Sequence, residues 1–309
     1  MDIAVGSLAD AQVDALAVAV TVEDALEAFL ESDASGDIGG ATLRRYLAER
    51  LFSGDPGAVI EWPLSESFHA SVLFFVGCGE RLDAELVRQA FGMAGRRARN
   101  FGSGRLGVVA DGLDAPALGA AVEGALLGGW AFRRHLGALR SDKVAPSAEI
   151  SVLSTTEVDP GVEAAVRRAV LVADATIQAR NLVSEPANVI NPLTFAEEAE
   201  RVASRSGLDV TIHDETELER IGAGALLAVG QGSEVPPRLI HLLYRPDGEP
   251  EGEPVGLVGK CITFDTGGYS IKTTEGMVTM KSDMAGGAVV LATMAALRDA
   301  GCRREVHGV

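Results

Sequence analysis

Three lysines and two aspartates share one short stretch, GKCITFDTGGYSIKTTEGMVTMKSDMAGGA, from Gly259 to Ala288. Lys260, Asp265, Lys272 and Asp283 lie there between the apolar run VGLV and a helix of small residues. Taken singly, each has a plain structural reading. A strand-end lysine is solvated, an aspartate before Thr-Gly-Gly favours a turn, and Asp283 suits the positive end of the helix that follows. Taken together they point to chemistry. Asp265 and Asp283 fall after a strand and before a helix, where open α/β sheets place their ligands. Carboxylates converging there without a His-rich motif suit hard divalent ions or a two-metal site. Gly267, Gly268, Gly286 and Gly287 would let backbone approach a ligand or another segment closely.

The elements that position these residues alternate in type. LAVAVTV (16–22), SVLFFVG (71–77), RLGVVA (105–110) and EISVLS (149–154) read as short strands, with helices over 83–102 and 114–137 between them. This order predicts a mainly parallel sheet with helices on its faces. A long connecting helix opens with Asp159 as N-cap and Pro160 at its first position. Val162, Val166, Val170, Ala173 and Ile177 then recur at helical spacing. A second α/β series has a helix at 194–206, a strand DVTIH (209–213) and a short helix near 216–222. It continues with strands RLIHLLY (238–244) and VGLVGKCITF (255–264) and a helix near 284–300. The pattern divides the chain into a domain over 1–155, a linker helix over 156–185 and a second domain over 186–309. REVHGV, after the C-cap residue Gly301, reads as a further buried strand. The expectation is therefore of a fold that continues past Val309.

Composition narrows the function classes. The chain has 309 residues, 47% hydrophobic and 23% charged, with a net charge of −17. That acidity disfavours nucleic acid and anionic membrane as partners. No apolar run has the length of a membrane-spanning helix, and the first residues, with Asp2, Asp10 and Asp14, are not a signal peptide. Cys78, Cys261 and Cys302 lie far apart, as free thiols in a reducing compartment would. A cytoplasmic location is expected.

The segment VGKCITFDTGGYSIKTTEGMVTMKSDMAGGA closely resembles the metal-binding core of the leucyl aminopeptidases, the cytosolic M17 family of metallopeptidases. Lys, Asp, Lys and Asp follow one another at the family's separations of five, seven and eleven residues. ARNLVSEPANVINP resembles the family's interdomain segment, and GALLAVGQGSEVPPRLIHLLY the stretch before the core. VLFFVGCGE and VEGALLGGWAFRRH extend a weaker likeness over nearly the whole chain.

The resemblance implies two α/β domains. One is an N-terminal macro-like domain, and the other the first part of a mixed-sheet α/β/α metallopeptidase domain. It implies a metal-dependent aminopeptidase that releases N-terminal residues, with a leucine-type preference, from peptides. Two divalent ions would serve it, zinc or manganese, with magnesium admitted, and the complete protein would be a hexamer. By position, Lys260, Asp265 and Asp283 would ligate metal, Lys272 would be the catalytic ammonium, and Met280 would line the pocket for the first side chain. Lys260 ligates only as a neutral amine, so a dication must depress its pKa. Lys272 must stay charged to stabilise the oxyanion.

Two departures stand out. Cys261 occupies a position where the family has glycine, and it reads as a small buried hydrophobe. The family's Asn-Thr-Asp-Ala-Glu-Gly-Arg run, which holds an Asp and a Glu ligand and an arginine, does not occur before Val309. Three donors do not satisfy two ions, so the chain alone is expected to be inactive. The alternative is a non-catalytic binding or structural module of the same fold. A further reading gives the macro-like domain a nucleotide-like ligand such as ADP-ribose. His69, His135, His213, His241 and His307 show no helical ligand spacing and read as structural. No complete dinucleotide or Walker-type loop is present.

Overall fold

The computed structural model describes residues 3–21, 40–49, 52, 54–137, 140, 145, 148–157 and 159–309. It divides into two compact units, Met1–Ala173 and Asp174–Val309.

In the first unit the strands are β1 (Ile3–Val5), β2 (Ala15–Thr21), β3 (Val59–Pro63), β4 (Val72–Gly79), β5 (Arg105–Val109) and β6 (Glu149–Ser154). They form a sheet in the order β1-β6-β5-β2-β4-β3. All neighbours are parallel except β3, which runs antiparallel to β4. The central strands β2 and β4 are buried along almost their full length, the pattern of a sheet covered on both faces. Helices α1 (Gly40–Glu49), α2 (Ala84–Phe101) and α3 (Ala115–Gly129) supply the layers. Helices α2 and α3 cross closely enough that a Cβ on Gly95, Gly124 or Gly128 would enter the other helix's backbone. Asp83 and Asp114 cap these two helices with their carboxylates.

The helix expected over 114–137 ends earlier, at Gly129. Trp130 turns to extended backbone after two successive glycines, and its N–H closes the last turn on Leu126. The expected strand residue Val22 lies outside the described residues. The connecting helix α4 (Pro160–Ser184) starts where Asp159 Oδ1 accepts the Gly161 N–H at 2.7 Å. Its first half places Val166 and Ala169 in the first unit's core, and its second half places Ala179 and Leu182 in the second unit's core.

The second unit contains α5 (Pro192–Ser206), β7 (Asp209–His213), α6 (Glu215–Arg220), α7 (Gly224–Gly230), β8 (Leu239–Tyr244) and β9 (Val255–Leu257). After these come α8 (Thr274–Met277), a 3₁₀ turn (Met280–Ser282), α9 (Ala285–Ala296) and β10 (Val306–Gly308). The sheet order is β7-β8-β10-β9, antiparallel except for the parallel pair β10/β9. REVHGV thus provides a strand in the middle of the sheet. Leu242, Tyr244 and Val306 face Phe195, Ala199 and Val202 of α5 and Ala288 and Leu291 of α9 in one apolar core. Helix α5 begins two residues before the expected 194 because Pro192 takes its first position, and Asn191 with Thr194 forms a capping box.

One strand differs in kind from its expectation. The apolar run over 255–264 pairs as sheet only through Leu257. One further ladder bond joins Gly259 N–H to Val309 C=O at 2.7 Å. Beyond it, backbone partners come from the entrance of α9: Gly287 N–H reaches Lys260 C=O at 2.9 Å, and Ile262 N–H reaches Asp283 C=O at 3.2 Å. The segment leaves the sheet because the helix entrance satisfies its polar backbone instead.

Candidate metal centre

Glycines on both sides make that docking possible. A Cβ on Gly259 would collide with Gly286 backbone, and one on Gly287 would stand 2.6 Å from Cys261 Sγ. With the two backbones in contact, the side chains flanking them converge. Lys260 Nζ lies 2.8 Å from Asp283 Oδ1. Asp283 does not serve the helix as a cap: α9 has Met284 at its N-cap position and no side-chain cap bond. Its carboxylate is committed to Lys260 instead.

The second pair is built by a turn. Asp265 Oδ1 accepts the Gly267 N–H at 2.8 Å, and Lys272 N–H closes the loop on Thr266 C=O at 2.9 Å. Gly267 and Gly268 carry φ of 86° and 63°, left-handed values that suit glycine. Across this turn Lys272 Nζ lies 3.0 Å from Asp265 Oδ2 and 3.2 Å from Met280 Sδ. Thr273 then starts α8 by accepting the Gly276 N–H at 3.2 Å. All five residues singled out from the sequence, Lys260, Asp265, Lys272, Met280 and Asp283, therefore lie in these two adjoining contacts.

The electrostatics follow from the pairing. The hydrogen bond from Lys272, then the one from Gly267 N–H, holds the Asp265 carboxyl below its usual range, and the Lys260 charge acts in the same direction. Asp283 holds the Lys260 ammonium above its usual value, with a smaller contribution from Asp265. That mutual influence brings the two pairs into one electrostatic cluster. One atom is left over: Asp283 Oδ2 is buried and has no hydrogen-bond partner. A buried carboxylate oxygen without a donor is costly in a folded protein, and a cation would satisfy it. The donor set of one amine and two carboxylates suits a divalent ion once Lys260 gives up its proton. Among the described residues, no group of three or more His, Cys, Asp or Glu side chains that could hold a metal ion occurs here or elsewhere, so this centre rests on two carboxylates and an amine.

An apolar cavity of about 310 Å³ occupies the other side of the same segment. Phe195, Val229, Ile262, Phe264 and Val290 help line it, and none of the four charged residues does. Burial here pushes the Cys261 thiol up to about 12. The 259–264 segment thus separates a charged face from an apolar one.

Sequence reasoning missed two contacts. His241 Nε2 and His307 Nδ1 are 2.9 Å apart with their rings stacked, and His307 Nε2 lies 3.1 Å from Glu305 Oε1. The only signal was that both histidines occupy alternate positions of strands whose pairing was unknown. The other contact runs from Lys281 Nζ to Ser184 C=O, at 2.6 Å.

Comparison with known proteins settles the lineage. Residues 177–309 match the sequence profile of the cytosol aminopeptidase family catalytic domain, and residues 7–136 that of its N-terminal domain. The chain belongs to the cytosol aminopeptidase family. A probable cytosol aminopeptidase of Aquifex aeolicus is 43% identical over 190 residues, 62% of this chain and 37% of that protein. Another from Gloeothece citriformis is 36% identical over 279 residues, 87% of this chain and 55% of that protein. The chain spans about half the length of such curated relatives. Among solved structures, the bottromycin maturation enzyme BotP in complex with Mn superposes with a TM-score of 0.76 at 31% identity, covering 96% of this chain and 58% of that one. A tomato leucine aminopeptidase variant shares the fold, with a TM-score of 0.77 at 24% identity, over 99% of this chain and 61% of that one. Two α/β domains of the cytosol aminopeptidase type thus account for both units and their mixed sheets.

Proposed function

We propose that this member of the cytosol aminopeptidase family carries part of the active centre of a two-metal aminopeptidase, which releases N-terminal residues, leucine among them, from peptides. The observation that supports it is the pairing of Lys260 with Asp283, whose second oxygen is buried without a partner, together with the Lys272–Asp265 pair in the same segment. Lys260, Asp265 and Asp283 would hold the ions, manganese or zinc. When bound, the ions supply the Lewis acidity that polarises a peptide carbonyl and activates water. The manganese complex of BotP makes that metal the first to test.

The chain's own groups divide the remaining work. Lys272 would point its ammonium at the scissile carbonyl and stabilise the oxyanion, held in direction by Asp265 at 3.0 Å. Met280, against Lys272 Nζ, would offer a soft, adaptable wall to the substrate's first side chain. Three donors are too few for two ions, so the others would come from polypeptide outside residues 1–309. The same reading assigns peptides as substrates and the cytoplasm as the location, in keeping with the relatives' names, and a hexamer as the assembly by the family resemblance alone.

The test is hydrolysis of leucine p-nitroanilide by the complete, manganese-loaded protein, with the N-acetylated substrate as control. Lys272→Ala should lower kcat by about 10²–10³, the range for removing one oxyanion donor. No turnover in the loaded wild type, or a Lys272→Ala variant of unchanged kcat, would refute the assignment. A second reading, a non-catalytic module, is favoured by the closed Lys260–Asp283 and Lys272–Asp265 ion pairs. Elemental analysis showing two tightly held ions per chain would eliminate it.

A further inference from the structure

We infer that Lys281 is a positioning residue for the centre: its ammonium anchors the Met280–Ser282 turn to the end of α4 and thereby sets Asp283 and Met280. The functional consequence rests on the reading of the centre given above, whereas the anchoring itself does not.

Ser184 is the last residue of α4, and its carbonyl is one of those a helix leaves without an internal partner. The negative end of the helix dipole also lies there and favours a cation. Lys281 Nζ donates to this carbonyl at 2.6 Å. Charge-assisted bonds of this kind are stronger than neutral ones. The next residue, Glu185, is only 3% exposed, so the chain at the end of α4 is itself packed in place.

The turn so anchored is also held by Ser282 Oγ, which donates to Thr279 C=O at 2.7 Å, and by Ile262 N–H to Asp283 C=O at 3.2 Å. It is a single 3₁₀ turn without a side-chain cap, closed by Ser282 N–H to Thr279 C=O at 3.0 Å and Asp283 N–H to Met280 C=O at 3.2 Å. Such short pieces are weak by themselves. Yet the two ends of this turn carry the groups that matter. Met280 Sδ meets Lys272 Nζ, and Asp283 Oδ1 meets Lys260 Nζ. Lys281, between them, touches neither pair, and its bond to α4 fixes where both side chains start. The C-terminal end of α4 therefore acts as the fixed wall against which the centre is assembled.

The experiment uses the complete protein as wild type, Lys281→Met and Lys281→Arg. Metal-free hydrogen exchange should be at least about tenfold faster in Lys281→Met at the Asp283 and Gly287 amides, with the amides of β2 and β4 unchanged. Lys281→Arg, whose guanidinium also donates to a carbonyl, should restore slow exchange. Mn²⁺ titration followed by electron paramagnetic resonance should give a dissociation constant about tenfold weaker in Lys281→Met, with recovery in Lys281→Arg.

Unchanged exchange in Lys281→Met would overturn the inference. Faster exchange with unchanged Mn²⁺ affinity would reduce Lys281 to a structural residue and overturn the positioning role. Faster exchange in Lys281→Met, in a family whose wild type binds no Mn²⁺, would leave the anchor standing and refute the metal reading. Should Lys281→Met fail to fold, the wild type decides. A slowly exchanging Lys281 ammonium resonance in its NMR spectrum supports the anchor, and an ammonium exchanging as fast as those of solvated lysines contradicts it.

Discussion

Lys260 Nζ stands 2.8 Å from one oxygen of Asp283, while the other oxygen of that carboxylate is buried without a partner. The pair is a closed ion pair on one side and an open acceptor on the other. On the proposed metal reading, its state of charge would control whether a cation can join it.

Metal binding should release a proton. Asp283 holds Lys260 in the ammonium form above its ordinary pKa, and only the neutral amine has a lone pair for a metal. Below that pKa, displacing one proton makes affinity rise about tenfold per pH unit. Calorimetry of Mn²⁺ binding in buffers of different ionisation enthalpy should show close to one proton released between pH 6 and 8. Lys260→Met should bind more weakly and lose the slope. A pH-independent affinity in the wild type would contradict ligation by Lys260.

The contact between Cys261 and Gly287 should behave as a matched pair. A methyl group at Gly287 would stand 2.6 Å from Cys261 Sγ and 2.7 Å from its Cβ. Overpacking of this kind costs about 1–3 kcal/mol. Gly287→Ala should lower the midpoint of urea unfolding, and Cys261→Gly in the same chain should recover most of the loss. A double variant no more stable than Gly287→Ala would show that the clash is relieved by other means.

Much of the fold was legible because it rests on local pattern. EISVLS and DVTIH occur as strands at the expected bounds, since alternating or continuous apolar runs flanked by turn residues define both ends. The run over 255–264 was misread beyond Leu257 because hydrophobicity marks a segment as buried without saying what its backbone bonds to. Here the partner is a helix entrance, and only the glycines at 259, 286 and 287 hinted at so close an approach. The charged cluster was visible as four residues in one segment. How it pairs was not, because it depends on Gly267 and Gly268 turning Lys272 back onto Asp265. The stacked histidines required knowing that β10 lies beside β8.

Thiol reactivity should separate the cysteines. Burial raises Cys78 to about 11 and Cys261 to about 12, from an ordinary 9.0. The thiolate is the reactive form, so its population at pH 8 falls roughly a hundredfold at Cys78 and a thousandfold at Cys261. Cys261 and Cys302 are both only partly buried, whereas Cys78 is buried. Iodoacetamide followed by peptide mass spectrometry should therefore modify Cys302 first, Cys261 slowly because its thiol is raised, and Cys78 only on unfolding. Labelling of Cys261 as fast as Cys302 would contradict the raised Cys261 thiol.

The histidine pair should make stability pH-dependent. His241 is pushed below its ordinary value first by burial and then by the charges of His307 and His213. His307 also faces Glu305, which partly offsets the positive charge on that side. A group with a depressed folded pKa binds its proton more readily in the unfolded chain, where His has a pKa of about 6.5. Its contribution is thus complete above about pH 6.5 and is lost as pH falls toward the folded value. Denaturant titrations from pH 8 to pH 5 should show stability declining across that window. His241→Gln, which keeps a polar side chain without the titration, should flatten this part of the profile while leaving the carboxylate-dependent loss below about pH 4 in place. An identical slope in wild type and variant would mean that the β8–β10 contact does not sense protonation at His241.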